Sequence, residues 1–323
     1  MIYLQLIGGF VFLLGGAELL VRGSVAAAKL LGISPLVIGM TIIALGTSLP
    51  ELVVSANAAL AGAVFMAVGN VVGSNIANVL LVLGVAAVVV PVAVTGKAFL
   101  FEGAAMIAGT VAFVAIALTG VIGFWSGFGL FAAFLGFLGH SYWRELRGRN
   151  AAAIHVMEVD ALAGLPRTLS LAVLVLVLGL AGVLLGAEVL VVGGIAAARA
   201  FGIAEEVIGL TAIAIGTSLP ELAASAVAAY RGHGEVALGN ILGSNLFNLM
   251  CVAGVVAMIT PLAVPDQILR FDLWVMLATT IFLAPFLVGR RLGRGVAIAL
   301  LAAYATYFAA QAYGVASILA LAS

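Results

Sequence analysis

Two glutamates carry the most chemistry in this chain. Gly46 to Leu52 reads GTSLPEL, and Gly216 to Leu222 repeats it letter for letter, ending on Glu51 and Glu221 with their following leucines. Each copy is followed at the same distance by a glycine- and asparagine-rich partner, GNVVGSNIAN from Gly69 to Asn78 and GNILGSNLFN from Gly239 to Asn248. All the copies sit 170 positions apart. Both pairs lie in apolar sequence long enough to be embedded in a bilayer, where a carboxylate belongs only if it faces a cavity or a partner.

The residue types suit a cation. Proline has no N–H and its ring clashes with the preceding turn, so each helix must bend or break at Pro50 and Pro220. Carbonyls upstream then lose helical partners, and the glutamate falls in the first turn of a new half-helix. Thr47, Ser48, Thr217 and Ser218 add hydroxyls. Asn70, Ser74, Asn75 and Asn78 add hydroxyl and amide oxygens, and Asn240, Ser244, Asn245 and Asn248 repeat them. Ser74 and Asn78 are four apart and so share a helical face. No Lys, Arg or His lies in the four motif segments to offset the two glutamates, so bound cations or protons must. One Ca²⁺ offsets both, as do two or more Na⁺ with any surplus charge left to the site. Ca²⁺ takes six to eight oxygens at about 2.3–2.6 Å, a number these groups can provide. The soft-metal ligands are scattered: His140, His155 and His233 fall in loops and Cys251 stands in an apolar run, a poor set for Zn²⁺ or Cu⁺. A glutamate beside a proline kink could instead be a structural cap, with Ser, Thr and Gly serving helix packing. That reading explains one copy better than two copies with every polar position retained.

The elements that must hold these residues follow from composition. Of 323 residues 65% are hydrophobic and 8% charged, against about 25% charged in a soluble domain. The expected fold is therefore an all-α polytopic membrane protein, with the lipid bilayer as its surroundings. Net charge is zero, and no basic run suggests nucleic acid. Nothing implies a cofactor or an obligate protein partner. A span needs about 20 apolar residues. Ten fit, near 2–30, 35–60, 64–90, 98–119, 121–140, 168–200, 204–230, 234–260, 269–289 and 294–318. Met1 to Gln5 lacks a positive n-region, so the first hydrophobic segment is expected to stay as a span.

The 170-residue offset also relates Gly16-Ala17-Glu18 to Gly186-Ala187-Glu188, Gly32-Ile33 to Gly202-Ile203, Pro91 to Pro261, and Phe101-Glu102 to Phe271-Asp272. The expected organisation is a first five-helix repeat at 1–140, a cytoplasmic linker at 141–167 and a second five-helix repeat at 168–323. An odd number of spans per repeat makes the second insert upside down, the inverted-topology arrangement of many secondary transporters. With both termini outside the cytoplasmic membrane, eleven basic residues fall on the cytoplasmic side and two, Arg199 and Arg270, outside. Among the remaining acids, Glu18 can pair with Arg22 one turn on, whereas Glu188 faces Val192. Glu102 and Asp272 are expected near span starts, where acids suit the helix dipole, and Glu205 and Glu206 at the start of an outer-face helix.

The pairs GTSLPE…GNxxGSNxxN resemble the two signature repeats of the cation/calcium exchanger superfamily, and most of all its prokaryotic sodium/calcium exchanger branch. The resemblance covers nearly the whole chain. It implies ten helices in two inverted halves, with spans 2, 3, 7 and 8 binding the ions and long spans 1 and 6 sliding across them. It implies side-chain ligands at Thr47, Ser48, Glu51, Ser74 and Asn78, and at Thr217, Ser218, Glu221, Ser244 and Asn248, with carbonyl ligands at Ala44 and Ala214. One departure stands out. Well-studied sodium/calcium exchangers carry an aspartate in the second repeat where this chain has Asn248. In potassium-dependent members that acid is tied to K⁺, so no K⁺ dependence is implied. The expectation is a Ca²⁺/Na⁺ antiporter, with H⁺/Ca²⁺ exchange the alternative because two close glutamates could trade protons for Ca²⁺. An intramembrane enzyme using Ser48 or Ser218 lacks a membrane His or Lys base, and a hydrolytic site gives no reason for duplication. A channel is not forbidden, but single carboxylates on broken helices suit occlusion better than a ring-lined filter.

Overall fold

The structure is a computed structural model that describes residues 2–92, 97–156, 166–201, 216–287 and 291–313. It is almost entirely helical. In chain order the helices are α1 (Ile2–Leu31), α2 (Pro35–Ile38), α3 (Ala44–Thr47), α4 (Leu49–Leu60), α5 (Val64–Ala77), α6 (Leu83–Val89), α7 (Lys97–Ala117) and α8 (Phe124–Val156). There follow α9 (Leu169–Ala200), α10 (Leu219–Tyr230), α11 (Gly234–Leu246), α12 (Ala253–Ile259), α13 (Leu273–Phe282), α14 (Ala284–Leu287) and α15 (Arg294–Tyr313). Two-residue strands β1 (Val121–Ile122) and β2 (Leu262–Ala263) pair antiparallel, Val121 opposite Ala263.

Among the described residues seven helices are long and apolar enough to cross a membrane, and Pro35–Thr47 with Leu49–Leu60 makes an eighth if counted as one broken span. Of the ten expected spans, the one near 204–230 begins in residues outside the described set, and those near 269–289 and 294–318 end there. Glu205, Glu206 and Ala214 also lie outside the described residues.

The chain forms two compact units, Met1–Ser48 with Leu135–Ser244, and Leu49–Phe134 with Asn245–Ser323. Each takes pieces from both sequence repeats. In the first unit, α1 and α9 pack along their length. The contacts run antiparallel through glycines seven residues apart. Gly9 meets the backbone of Leu190, Gly16 that of Val183 and Gly23 that of Leu176; Gly186 meets Leu13 and Gly179 meets Leu20. Small residues let membrane helices approach to backbone contact, where dispersion does the work that water does in a soluble core. Gly239 and Gly243 of α11 likewise seat the backbones of Leu36 and Met40, so α11 lies directly against the first part of the second span. In the second unit α4 packs on α5, α13 on α7 and α15 on α6.

Helix α8 does not stop near 140. It continues through Tyr142, Trp143 and Glu145 to Val156, into the stretch expected as a linker. Glu145 reaches back to Ser34, accepting its N–H and, at 3.5 Å, its hydroxyl. Ser34 in turn caps α2, accepting the Val37 N–H at 3.4 Å. Polar composition hid the continuation, because a helix leaving a membrane loses its apolar face without losing its backbone bonds.

Candidate ion-binding site

Each motif breaks its helix as proline requires. α3 ends at Thr47, Ser48 sits at φ −93°, ψ 8°, and α4 restarts at Leu49 with Glu51 in its first turn. Ser218 repeats this at φ −86°, ψ −2°, before α10 opens with Glu221 in its first turn. Both serines occupy the sparsely allowed bridge between α and β conformations. Ala44 O accepts the Ser48 N–H at 3.0 Å, which leaves it one lone pair. Pro50 has no N–H, so it is the Gly46 carbonyl that loses its fourth-residue donor.

The second motif of each pair lies where a helix changes pitch. α5 passes into a π-helical turn at Asn78–Val82, and α11 into one at Phe247–Val252. Such turns expose backbone carbonyls and recur at functional sites. Both are mostly apolar, NVLLV and FNLMCV, like the helices around them, so the sequence gives no sign of them.

In the first unit the site residues converge on Glu221, which is wholly buried. Ser48 Oγ donates to Glu221 Oε1 at 2.7 Å, and the hydroxyls of Thr47 and Ser244 also face that carboxylate. Among the described residues Glu221 Oε2, Ser218 Oγ and Ser244 Oγ have no hydrogen-bond partner. Thr217 is buried beside them in sequence. A repeat-one serine thus serves a repeat-two glutamate.

In the second unit Glu51, Asn78 and Asn248 are completely buried and Ser74 nearly so. The π turn carrying Asn248 packs on both α4 and α5, and so reaches the helices of Glu51 and Ser74. Asn78 Nδ2 donates to Asn245 Oδ1 at 3.0 Å. Neither amide atom of Asn248, nor Asn78 Oδ1, has a partner among the described residues. A buried polar group without a partner costs free energy, so these oxygens suit a ligand the protein itself does not supply. Asn75 is engaged, donating to Val71 O at 2.7 Å in its own helix. Ser55 and Ser225, which the motif reading passed over, are fully buried and bonded to Asn70 and Asn240. Their signal was present, since they too are related by the 170 offset.

The other acids divide. Glu18 pairs with Arg22 as expected, but also takes Arg231 in a two-pronged contact, Nη2 to Oε1 at 2.6 Å and Nε to Oε2 at 2.8 Å. No spacing rule could link residues so far apart in sequence. Glu102 and Asp272 are not first-turn acids. Glu102 lies in the second turn of α7, and Asp272 ends a π-helical turn, Ile268–Asp272, that leads into α13; both are buried and past the first turn, within which a helix dipole fades. Asp272 is held instead by Tyr307 Oη at 3.0 Å and by the Gln311 amide. Outside the spans, burial lowers the pKa of His233, which helps keep it neutral.

Known proteins resemble this chain over most of its length. A family model described as sodium/calcium exchanger protein matches the chain twice, over residues 1–143 and 171–313, two stretches again 170 apart. Inner membrane protein YrbG of Escherichia coli is 36% identical over 310 residues, 94% of each chain. Sodium/calcium exchanger MaX1 of Methanosarcina acetivorans is 33% identical over 319 residues, covering 88% of this chain and 91% of that one. The solved structure of the sodium-calcium exchanger NCX_Mj, soaked with Na⁺ and Ca²⁺, superposes with a TM-score of 0.82 at 30% identity, over 94% of this chain and 96% of that one. The chain belongs to the sodium/calcium exchanger protein family and is a membrane transporter, not an enzyme.

Proposed function

We propose that the protein is a secondary antiporter that exchanges Ca²⁺ for Na⁺ across the cytoplasmic membrane by alternating access, the ions competing for Glu51 and Glu221. The observation that carries this is a carboxylate and its surroundings. Glu221 is wholly buried; among the described residues Ser48 donates to it, the Thr47 and Ser244 hydroxyls lie beside it, and no cationic side chain faces it. A buried carboxylate needs compensating charge. A transported cation is the compensation consistent with the family. The ligand set would be Thr47, Ser48, Glu51, Ser74, Asn78, Thr217, Ser218, Glu221, Ser244 and Asn248, with the carbonyls of Ala44 and Ala214. Ten spans in two inverted halves are part of the same proposal. The antiparallel glycine contacts of α1 with α9 and the double match of the family model support it. The cytoplasmic membrane fits the name of the YrbG relative.

Asn248 keeps a second reading in play. An amide can coordinate Na⁺ or Ca²⁺ but carries no charge, so the site holds −2 when both glutamates are ionised. That suffices for one Ca²⁺ and leaves more than two Na⁺ over-charged, which favours protons as the counter-ion. The abundance of hydroxyls favours Na⁺, since proton exchange has no use for them. The test uses vesicles loaded with Na⁺ and diluted into Na⁺-free buffer at equal pH on both sides. Uptake of radiolabelled Ca²⁺ is expected. Uptake that ignores Na⁺ and follows an imposed pH gradient would establish the H⁺/Ca²⁺ reading instead.

A further inference from the structure

Asn70 and Asn240, at the head of each glycine–asparagine motif, are engaged with the protein in the same way in both units. Asn240 Nδ2 donates to the carbonyl of Glu221 at 3.4 Å and to Ser225 Oγ at 3.0 Å. Asn70 Nδ2 donates to the carbonyl of Glu51 at 3.3 Å and to Ser55 Oγ at 2.9 Å. Asn240 Oδ1 also accepts the Thr47 hydroxyl at 3.3 Å. All five of these side chains other than Glu51 and Glu221 are buried, four of them within a few per cent of completely or better, with Asn70 and Thr47 included among the buried.

We infer that Asn70 and Asn240 are positioning residues, each forming with Ser55 or Ser225 a bracket that fixes the register of a site glutamate. The inference rests on the ion site proposed above. Asn70 and Ser74 are four apart on α5, and Asn240 and Ser244 four apart on α11, so each bracket shares a helical face with a ligand hydroxyl. The bracket grips the glutamate's own peptide and the residue one turn further on. Two half-helices started by proline have no continuous ladder to set their height against the neighbouring helix. A slip of one residue would move the carboxylate by about 1.5 Å, whereas a binding constellation tolerates about 0.5 Å. In the first unit the bracket also holds Thr47, so one amide spaces a hydroxyl ligand and the glutamate of the other repeat.

An amide lending its oxygen to the ion is the competing role, and Asn240→Asp separates the two. Aspartate keeps an oxygen and adds charge, so a ligand at this position would bind Ca²⁺ more tightly. A bracket loses both donors and sets a carboxylate against the Glu221 carbonyl. The expected result in purified, reconstituted protein is that half-saturating Ca²⁺ and Na⁺ both rise about tenfold or more, while the rate at saturation changes less. Ser225→Ala, a milder change that keeps the fold testable if Asn240→Asp does not fold, is expected to raise both by a few-fold. In an Asn240→Ala background Ser225→Ala should add nothing, since the bond is already gone. Tighter Ca²⁺ binding in Asn240→Asp, or full additivity of the two alanine variants, would overturn the bracket. Glu221→Gln is measured alongside: if it transports normally the ion site itself is wrong, whereas if it is silent and the bracket variants behave additively only the bracket is wrong.

Discussion

Glu221 is anchored at one oxygen. Ser48 donates to Oε1 and nothing among the described residues bonds Oε2, although the side chain is wholly buried. Neutral hydroxyls can orient a carboxylate but cannot cancel its charge, so on the proposed reading removing the charge would remove the site's hold on a cation. Glu221→Gln and Glu51→Gln are therefore each expected to lower Ca²⁺ transport by about a hundredfold or more, the scale set by losing one partner of a buried ion pair. Both variants should elute as the native protein does on size exclusion, since glutamine is isosteric. Vesicle flux near the native rate in either variant would remove that glutamate from the site. The doubled motif singles these residues out at once, because seven polar positions retained twice in an apolar chain are poorly explained by packing. The partners were not legible. That Ser48 of one repeat serves Glu221 of the other depends on how helices meet, and that Asn70 and Asn240 bind protein depends on Ser55 and Ser225 lying one turn past each glutamate.

At the scale of elements, α1 and α9 depend on residues with no side chain. A Cβ built on Gly16 would lie 2.4 Å from Val183 N, and one on Gly186 would lie 2.3 Å from Leu13 N. Both neighbours are backbone, so only separation of the helices can relieve the contact. Gly16→Ala and Gly186→Ala are expected to cost about 1–3 kcal/mol each, the usual range for overpacking, visible as a lower melting temperature in detergent. Gly8→Ala and Gly15→Ala make the control, since a Cβ at either meets nothing within 4 Å and alanine favours the helix. Equal melting temperatures in the two sets would show that α1 and α9 do not meet through this seam. The seam could have been read in advance: Gly9, Gly16 and Gly23 are seven apart, and so are Gly179, Gly186 and Gly193. A seven-residue repeat of glycines within a long apolar segment has one efficient use, backbone contact along a helix. The π turns at Asn78–Val82 and Phe247–Val252 had no such signature, because an extra residue in a turn is chosen by the neighbours it fits and not by its own composition.

For the whole molecule the open quantity is orientation, and the antiparallel pair ties its two ends together. Helix α9 has 32 residues, about 48 Å at 1.5 Å each, more than the roughly 30 Å of a hydrocarbon core. Arg167 and Phe201 then fall on opposite sides of the bilayer. In the ten-span frame Arg147, at the end of α8, shares a side with Arg167. Because α1 runs against α9, Tyr3 shares a side with Phe201, and Arg22 and Lys29 share one with Arg167. Basic residues are retained on the cytoplasmic side, and the ten-span frame puts eleven there against two outside. With the buried Cys251 changed to alanine, single cysteines at Tyr3, Arg147 and Phe201 can be labelled by a membrane-impermeant maleimide in intact cells and in inverted vesicles. Tyr3 and Phe201 are 80% and 85% exposed and Arg147 is also exposed, so all three should react from the side they face. Tyr3→Cys and Phe201→Cys are expected to label in intact cells, and Arg147→Cys only in inverted vesicles. The reverse pattern would leave the antiparallel pair intact and invert the orientation. Labelling of Tyr3→Cys and Phe201→Cys from opposite sides would go further, since no placement of an antiparallel α1 and α9 in a membrane allows it.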